Sequence, residues 1–292
     1  MSRNPIVIGL AFLGGFFLFL LLLIIIALFF LVRGKPTLPV GEKIGVIEIV
    51  GVISSADEVI KDLRQFLNDD SVKAIIIRID SPGGAVGASQ EIYQAIKQAR
   101  QKKPVVASME SVAASGGLYV ALGASRILAM PGTLTGSIGV MMQVPNIKGL
   151  LDKVGVKAQV LKSGPYKDAG SIFRPLREDE KKVLMGTIND IYQQFVEAVS
   201  ESRQIPLAKV KTFADGRVFT GRQAKEYGLI DELGNFERAI EVAASLGGIK
   251  GTPHLVYPER EKPWLKWLLG EDFKGQAFSL WFAPLYLTRF AR

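Results

Sequence analysis

Polarity divides the chain sharply near residue 32. Residues 5–32 carry no charged side chain and close on the run Leu20-Leu-Leu-Leu-Ile-Ile-Ile-Ala-Leu-Phe-Phe-Leu-Val32. At about 1.5 Å per residue, a helix of this length reaches roughly 42 Å, more than the roughly 30 Å hydrocarbon core of a bilayer. The run is far longer than the apolar core of a cleaved signal peptide, and no small-x-small site follows Val32. The pattern therefore predicts one N-terminal transmembrane helix, an uncleaved anchor behind a short tail at residues 1–4.

Residues 33–43 break every period with Pro and Gly and read as a linker. Beyond them short apolar runs alternate with helical spacings. Strands are predicted at 44–50, 72–79, 104–108, 126–130, 138–144, 158–161, 217–220 and 229–231. Helices are predicted at 55–67 behind a serine cap, 88–102, a short stretch after Ser115, 147–154, 178–203, 223–227 and 236–246. The longest shows Ile188, Ile191, Phe195 and Val199 at three- and four-residue steps. This alternation predicts an α/β domain over 44–250 with a largely parallel sheet. Residues 251–292 differ: Trp264, Trp267 and Trp281 stand among Phe273, Phe278, Phe282, Tyr286 and Phe290. That segment is an interfacial, packing or self-inhibitory element, too broken to span a membrane.

The net charge of +8 lies outside the predicted span. Its lysines and arginines are dispersed, with no aromatic-plus-basic platform, so no nucleic acid partner is expected and the lipid bilayer is the simpler anionic partner. Arg3 stands on one side of the span with Arg33, Lys35 and Lys43 on the other, so charge counting leaves the orientation open. With no cysteine, the chain has neither disulfides nor thiol or Cys-based metal chemistry.

Two Gly-rich turns carry the candidate chemistry. Asp80-Ser-Pro-Gly-Gly84 closes the buried-strand run 74–79, and Ala113-Ala-Ser-Gly-Gly117 sets Ser115 at the start of a helix. Small residues at strand ends leave backbone N–H groups open to a ligand, and a helix start favours an anion beside it. Each turn alone is equally compatible with close packing. Together they suit a serine hydrolase, with Ser115 as nucleophile and the N–H groups of Gly116 and of the Gly83-Gly84 turn facing an oxyanion. The single histidine, His254, lies near the far end, so a Ser-His-Asp triad requires it to fold back. The other candidate bases are the lysines of Lys162-Ser-Gly-Pro-Tyr-Lys-Asp168, and a lysine acts as a base only where burial lowers its pKa.

Asp80-Ser-Pro-Gly-Gly84, Ala114-Ser-Gly-Gly117, Gly136-Ser-Ile-Gly-Val140 and Ser163-Gly-Pro-Tyr-Lys-Asp168 follow one another behind a single anchor. This order resembles the short, single-repeat form of the signal peptide peptidase A (SppA) family: membrane-anchored Ser–Lys proteases with a ClpP/crotonase-like fold. The resemblance covers about residues 44–250. It implies Ser115 as nucleophile, Lys167 as general base with Lys162 as the rival, and an oxyanion hole at Gly84 and Gly116 with Gly83 shaping the turn. Ser137 would orient the lysine and Asp168 its loop. No metal or organic cofactor is implied. Because the chain has one serine motif and one lysine motif, the resemblance implies a homo-oligomeric ring or dome with sites shared between protomers. It further implies single-pass residence in the cell (inner or cytoplasmic) membrane, with the catalytic domain extracytoplasmic. Signal peptides and membrane-protein fragments would be the substrates, paired as strands near 84–86 and 138–142. The alternatives are another ClpP-like membrane protease acting on one partner protein, or a non-enzymatic membrane scaffold.

Overall fold

A computed structural model describes residues 5–32, 41–258 and 285–287, with side-chain surroundings described for 13–26 and 41–258. The chain divides into two compact units, Met1–Val40 and Gly41–Arg292. The described residues of the first form one helix, α1 (Pro5–Val32). Among the described residues no helix is long and apolar enough to cross a membrane.

The second unit alternates strands and helices: β1 (Lys43–Val50), α2 (Asp57–Asn68), β2 (Val72–Ser81), β3 (Gly83–Ala85), α3 (Val86–Ala99), β4 (Val105–Ala114), α4 (Gly116–Ala121), β5 (Arg126–Ala129) and β6 (Leu134–Gly136). There follow α5 (Lys148–Lys153), α6 (Glu178–Arg203), α7 (Leu207–Lys211), β7 (Val218–Thr220), α8 (Gly221–Glu226), β8 (Glu232–Leu233), α9 (Phe236–Leu246), β9 (His254–Val256) and β10 (Leu285–Leu287). The main sheet runs β7-β6-β4-β2-β1-β9, with β5 on β4 and β8 on β5. Every pair is parallel except β6 with β7, which is antiparallel. A mixed α/β domain with a mostly parallel sheet is thus the observed architecture.

Both sheet faces are covered, which is why β2 carries a continuous apolar run at 74–77 in place of strict alternation. Strand alternation sends Ile75, Ile77 and Ile79 into the core shared with α3, α4 and α6, while Ala74 and Ile76 face α9 through Ala239 and Ala243. Phe195 of α6 is fully buried and its ring lies 4.8 Å from that of Tyr119 on α4. Truncating it to alanine is expected to cost about 3–5 kcal/mol, read as a lower denaturation midpoint with an unchanged slope.

Several predicted elements differ from the observed ones. No strand covers 138–144: β6 ends at Gly136, and Ser137 (φ 51°) turns the chain out of the ladder. Residues 158–161 form no strand either, and Leu161 is 90% exposed, so its apolar alternation faces outward. The strand expected at 229–231 lies just beyond, at β8. Strand β4 runs six residues past its predicted end at 108, pairing first with β5 and then with β6. The serine expected to cap α2 does not: the helix begins at Asp57 with Ala56 at the N-cap position and no side-chain cap, and Ser55, one residue further out, accepts the Asp57 N–H at 3.1 Å.

Candidate active site

The site lies where β2 and β4 end. Asp80 Oδ1 accepts the Val112 N–H at 3.0 Å, and Ser81 Oγ accepts the Gly83 N–H at 3.1 Å, fixing both strand ends. Ser115 follows β4 with φ 54° and ψ −117°, 1% exposed, and the six-residue α4 begins at the next residue. A non-glycine residue in this region costs on the order of 1–3 kcal/mol and persists only where its surroundings impose it. Here the Ser115 N–H donates to Gly136 O at 2.8 Å, and Thr135 Oγ1 donates to Ala113 O at 2.6 Å. A serine on a strained strand-to-helix turn has its hydroxyl turned away from both elements, as a nucleophile requires.

The two Gly-rich turns meet. A Cβ on Gly116 would lie 2.5 Å from Ser89 Oγ and 3.2 Å from Gly84 N, so only glycine lets α4 approach β3 this closely. A Cβ on Gly84 would lie 2.0 Å from Ile53 O, because Ile53 donates to Gly83 O at 3.0 Å and accepts from Ala85 N at 2.7 Å. Gly83, Gly84 and Gly116 are therefore gathered beside Ser115. On the opposite edge of β3, β10 pairs antiparallel, with Leu285 opposite Ala85 and Tyr286 opposite Gly84.

Ser115 and Ser137 share a cavity of about 510 Å³ whose apolar wall includes Ile138, Val140, Ile188 and Tyr192. Tyr192 donates to Ala214 O at 2.8 Å. His254 does not reach the cavity: it pairs with Lys43 at the start of β1, at the end of the parallel sheet opposite Ser115. That placement excludes a triad within one chain.

Lys167 and Asp168 lie on the arm between α5 and α6 and do not line the cavity. Lys167 is exposed, and its N–H donates to Gly164 O at 3.2 Å. Asp168 accepts from Lys162 Nζ and, at 3.0 Å, from Arg174 Nε. Hydrogen bonding from Lys162, reinforced by Arg174, holds the Asp168 carboxyl down at about 2. Arg174 also grips Glu180 through two nitrogens, at 2.8 and 2.5 Å. Glu180 is fully buried, accepts the Arg177 N–H at 3.0 Å and is held at about 2, chiefly by Arg174. Arg174 and Glu180 escaped the reading of the sequence; the available signal was an acid at the third position of a predicted helix, where a carboxylate can cap the first turn. No cluster of metal-ligating side chains occurs among the described residues.

Comparison with known proteins places this geometry in context. The sequence pattern of Peptidase family S49 matches residues 97–250, and that of Clp protease matches residues 46–142. A Synechocystis sp. protein named "Putative protease" is 45% identical over 241 residues, covering 82% of this chain and 87% of its own. The chloroplastic Serine protease SPPA of Arabidopsis thaliana is 37% identical over 220 residues, 75% of this chain but 32% of that longer protein. An Enterococcus faecium protein named "Putative signal peptide peptidase SppA" is 38% identical over 182 residues, 61% of this chain and 52% of its own.

Proposed function

Because the chain belongs to peptidase family S49 and is a serine protease of the SppA type, we propose that it is a membrane-anchored endopeptidase. It degrades remnant signal peptides and other hydrophobic segments released from membranes. The observation that carries the reading is the strained Ser115 at the head of α4, with Gly116 packed against Gly83 and Gly84 beside an apolar cavity. Ser115 Oγ attacks the scissile carbonyl and Lys167 Nζ takes its proton. The N–H groups of Gly84 and Gly116 receive the oxyanion. Collapse transfers the proton to the leaving amine, and a water activated by the same lysine hydrolyses the acyl-enzyme.

Lys167 is favoured over Lys162 because Lys162 is tied as a cation to Asp168, the opposite of what a base needs. Since Lys167 does not line its own chain's cavity, it serves the serine of a neighbouring protomer in a homo-oligomeric ring or dome. In support, the arm leaves Val154, Tyr166 and Phe173 exposed within one chain, as α5 does Leu150 and α6 Met185, apolar surface suited to a second copy. Ser137, in the same cavity as Ser115, orients the incoming lysine. Helix α1 anchors the assembly in the cell membrane, supported by its 28 uncharged residues. The catalytic domain lies on the extracytoplasmic side.

Extended substrate adds a strand to β3, and β10 supports this by occupying that edge as an antiparallel strand. We assign residues 259–292 a self-inhibitory role on the same ground. Full-length protein in detergent, assayed on a fluorogenic signal-peptide-like substrate, is expected to hydrolyse it, and Ser115→Ala is expected not to. Wild type inert on every such peptide would leave a scaffold role. Ending the chain at Pro258 is expected to lower KM several-fold at similar kcat, as loss of a competing strand does. Unchanged kinetics would remove the self-inhibitory role.

A further inference from the structure

The chain's own clamp on the arm carries an inference about how the lysine is set. From this geometry we propose that Arg174 is a positioning residue for the reaction: it holds Asp168, and with it the adjacent Lys167, at a fixed height above the first turn of α6. The inference rests on Lys167 being the base.

Four hydrogen bonds make the clamp. Arg174 Nε donates to Asp168 Oδ2 at 3.0 Å, and one terminal nitrogen donates to the Asp168 backbone carbonyl at 3.2 Å. Both terminal nitrogens donate to the carboxylate of Glu180. One planar guanidinium thus joins side chain and backbone of the residue after Lys167 to a carboxylate inside the fold. A lysine cannot reproduce that fork, because an ammonium is a point charge without fixed donor directions. The anchor is firm because Glu180 has no solvent exposure, and a buried carboxylate must keep its partner.

The clamp also lies outside the pH range in which a lysine base works. Asp168 and Glu180 both titrate at about 2, below their ordinary values of 3.8 and 4.5. A lowered carboxylate pKa contributes stability that is present above the ordinary value and lost as pH falls towards 2. The charged groups on the arm and on the helix turn beneath it are Lys157, Lys162, Lys167, Asp168, Arg174, Arg177, Glu178, Asp179, Glu180 and Lys181. The two clamp carboxylates stay ionised through the neutral and alkaline range, so a rate limb there reports the base and not the release of its holder.

Two variants test the proposal in the full-length oligomer. Asp168→Asn removes the carboxylate charge from the clamp on the lysine side, leaving only neutral acceptors there, and keeps the Arg174–Glu180 pair intact, so the fold keeps its buried charge balanced. Arg174→Lys keeps the charge and loses the fork. Both are expected to lower kcat about 100-fold near neutral pH with KM within about twofold, the signature of a displaced reacting group. A loosened Lys167 enters its partner's site less fully and keeps more of its water. The rising limb of the rate profile is therefore expected to move to higher pH by about one unit. A change in folding alone would lower the melting temperature or the active fraction and leave that limb in place.

A folded Asp168→Asn protein of wild-type oligomeric size, with unchanged kcat and unchanged limb, overturns the inference. Lys167→Ala, measured in parallel, separates the two ideas. If it is inactive while Asp168→Asn is normal, only the positioning role falls. If it keeps full activity, Lys167 is not the base and both fall together.

Discussion

Mixing two inactive variants is expected to restore hydrolysis. Ser115→Ala and Lys167→Ala should each lower kcat by roughly four to six orders of magnitude, the scale on which loss of a nucleophile or its base acts. If each site takes its serine from one protomer and its lysine from the next, random exchange in an equimolar mixture leaves about a quarter of sites with both groups. Activity should therefore rise to about a quarter of wild type once subunits have exchanged. A site built within one chain would give none, since every chain would lack one group. The structure motivates the expectation directly: Ser115 lines the cavity and Lys167 does not. Steady-state assays on the mixture, timed against a subunit-exchange measurement, decide between the two.

The second large effect concerns the paired glycines. In Gly116→Ala the new methyl would meet Ser89 Oγ at 2.5 Å and crowd Gly84 N at 3.2 Å, filling the gap between the two proposed oxyanion donors. Loss of one such donor costs about 10²–10³ in kcat, so displacement of both should at least reach that range. The obstacle at Ser89 is a side chain that can rotate, so the fold should largely survive. Gly84→Ala is different: its methyl would meet a backbone oxygen, Ile53 O, at 2.0 Å, and β3 would have to leave Ile53. Both hydrogen bonds across that bridge would be lost, each worth about 0.5–1.5 kcal/mol. Melting curves beside kcat should therefore show Gly84→Ala losing stability and activity together, and Gly116→Ala losing mainly activity. Wild-type kcat in Gly116→Ala would remove the oxyanion assignment.

The frame of the domain was legible where periodicity and packing agree. α6 and α9 were predicted at their observed bounds, because an apolar stripe on a long helix has one way to be buried. Strand β2 was legible from its apolar run at 74–77 for a similar reason, since both its faces are covered. The errors fall where local pattern lacks a partner. Residues 158–161 alternate like a strand but have no ladder among the described residues, and 138–144 are diverted by the backbone of Ser137, a turn that a serine does not announce. The glycine turns were visible, but their meeting depends on Ile53 and Ser89, which no local motif connects to them. The clamp on the arm was hidden for another reason. Arg174 and Glu180 look like ordinary surface charges until burial of the carboxylate is known.

The strand at β3 has a kinetic consequence. β9 ends at Val256 beside the start of β1, and Leu285 is next to Ala85 at the other end of the sheet, so under the proposed self-inhibitory role the tail would be a tethered competitor for the edge proposed for substrate. A tethered ligand acts at an effective concentration set by the reach of its tether, whatever the protein concentration. Dilution cannot relieve such competition. Only abundant peptide, a change in the tail's attachment, or its removal by proteolysis can, which would make the enzyme's threshold a property of its own sequence rather than of its abundance.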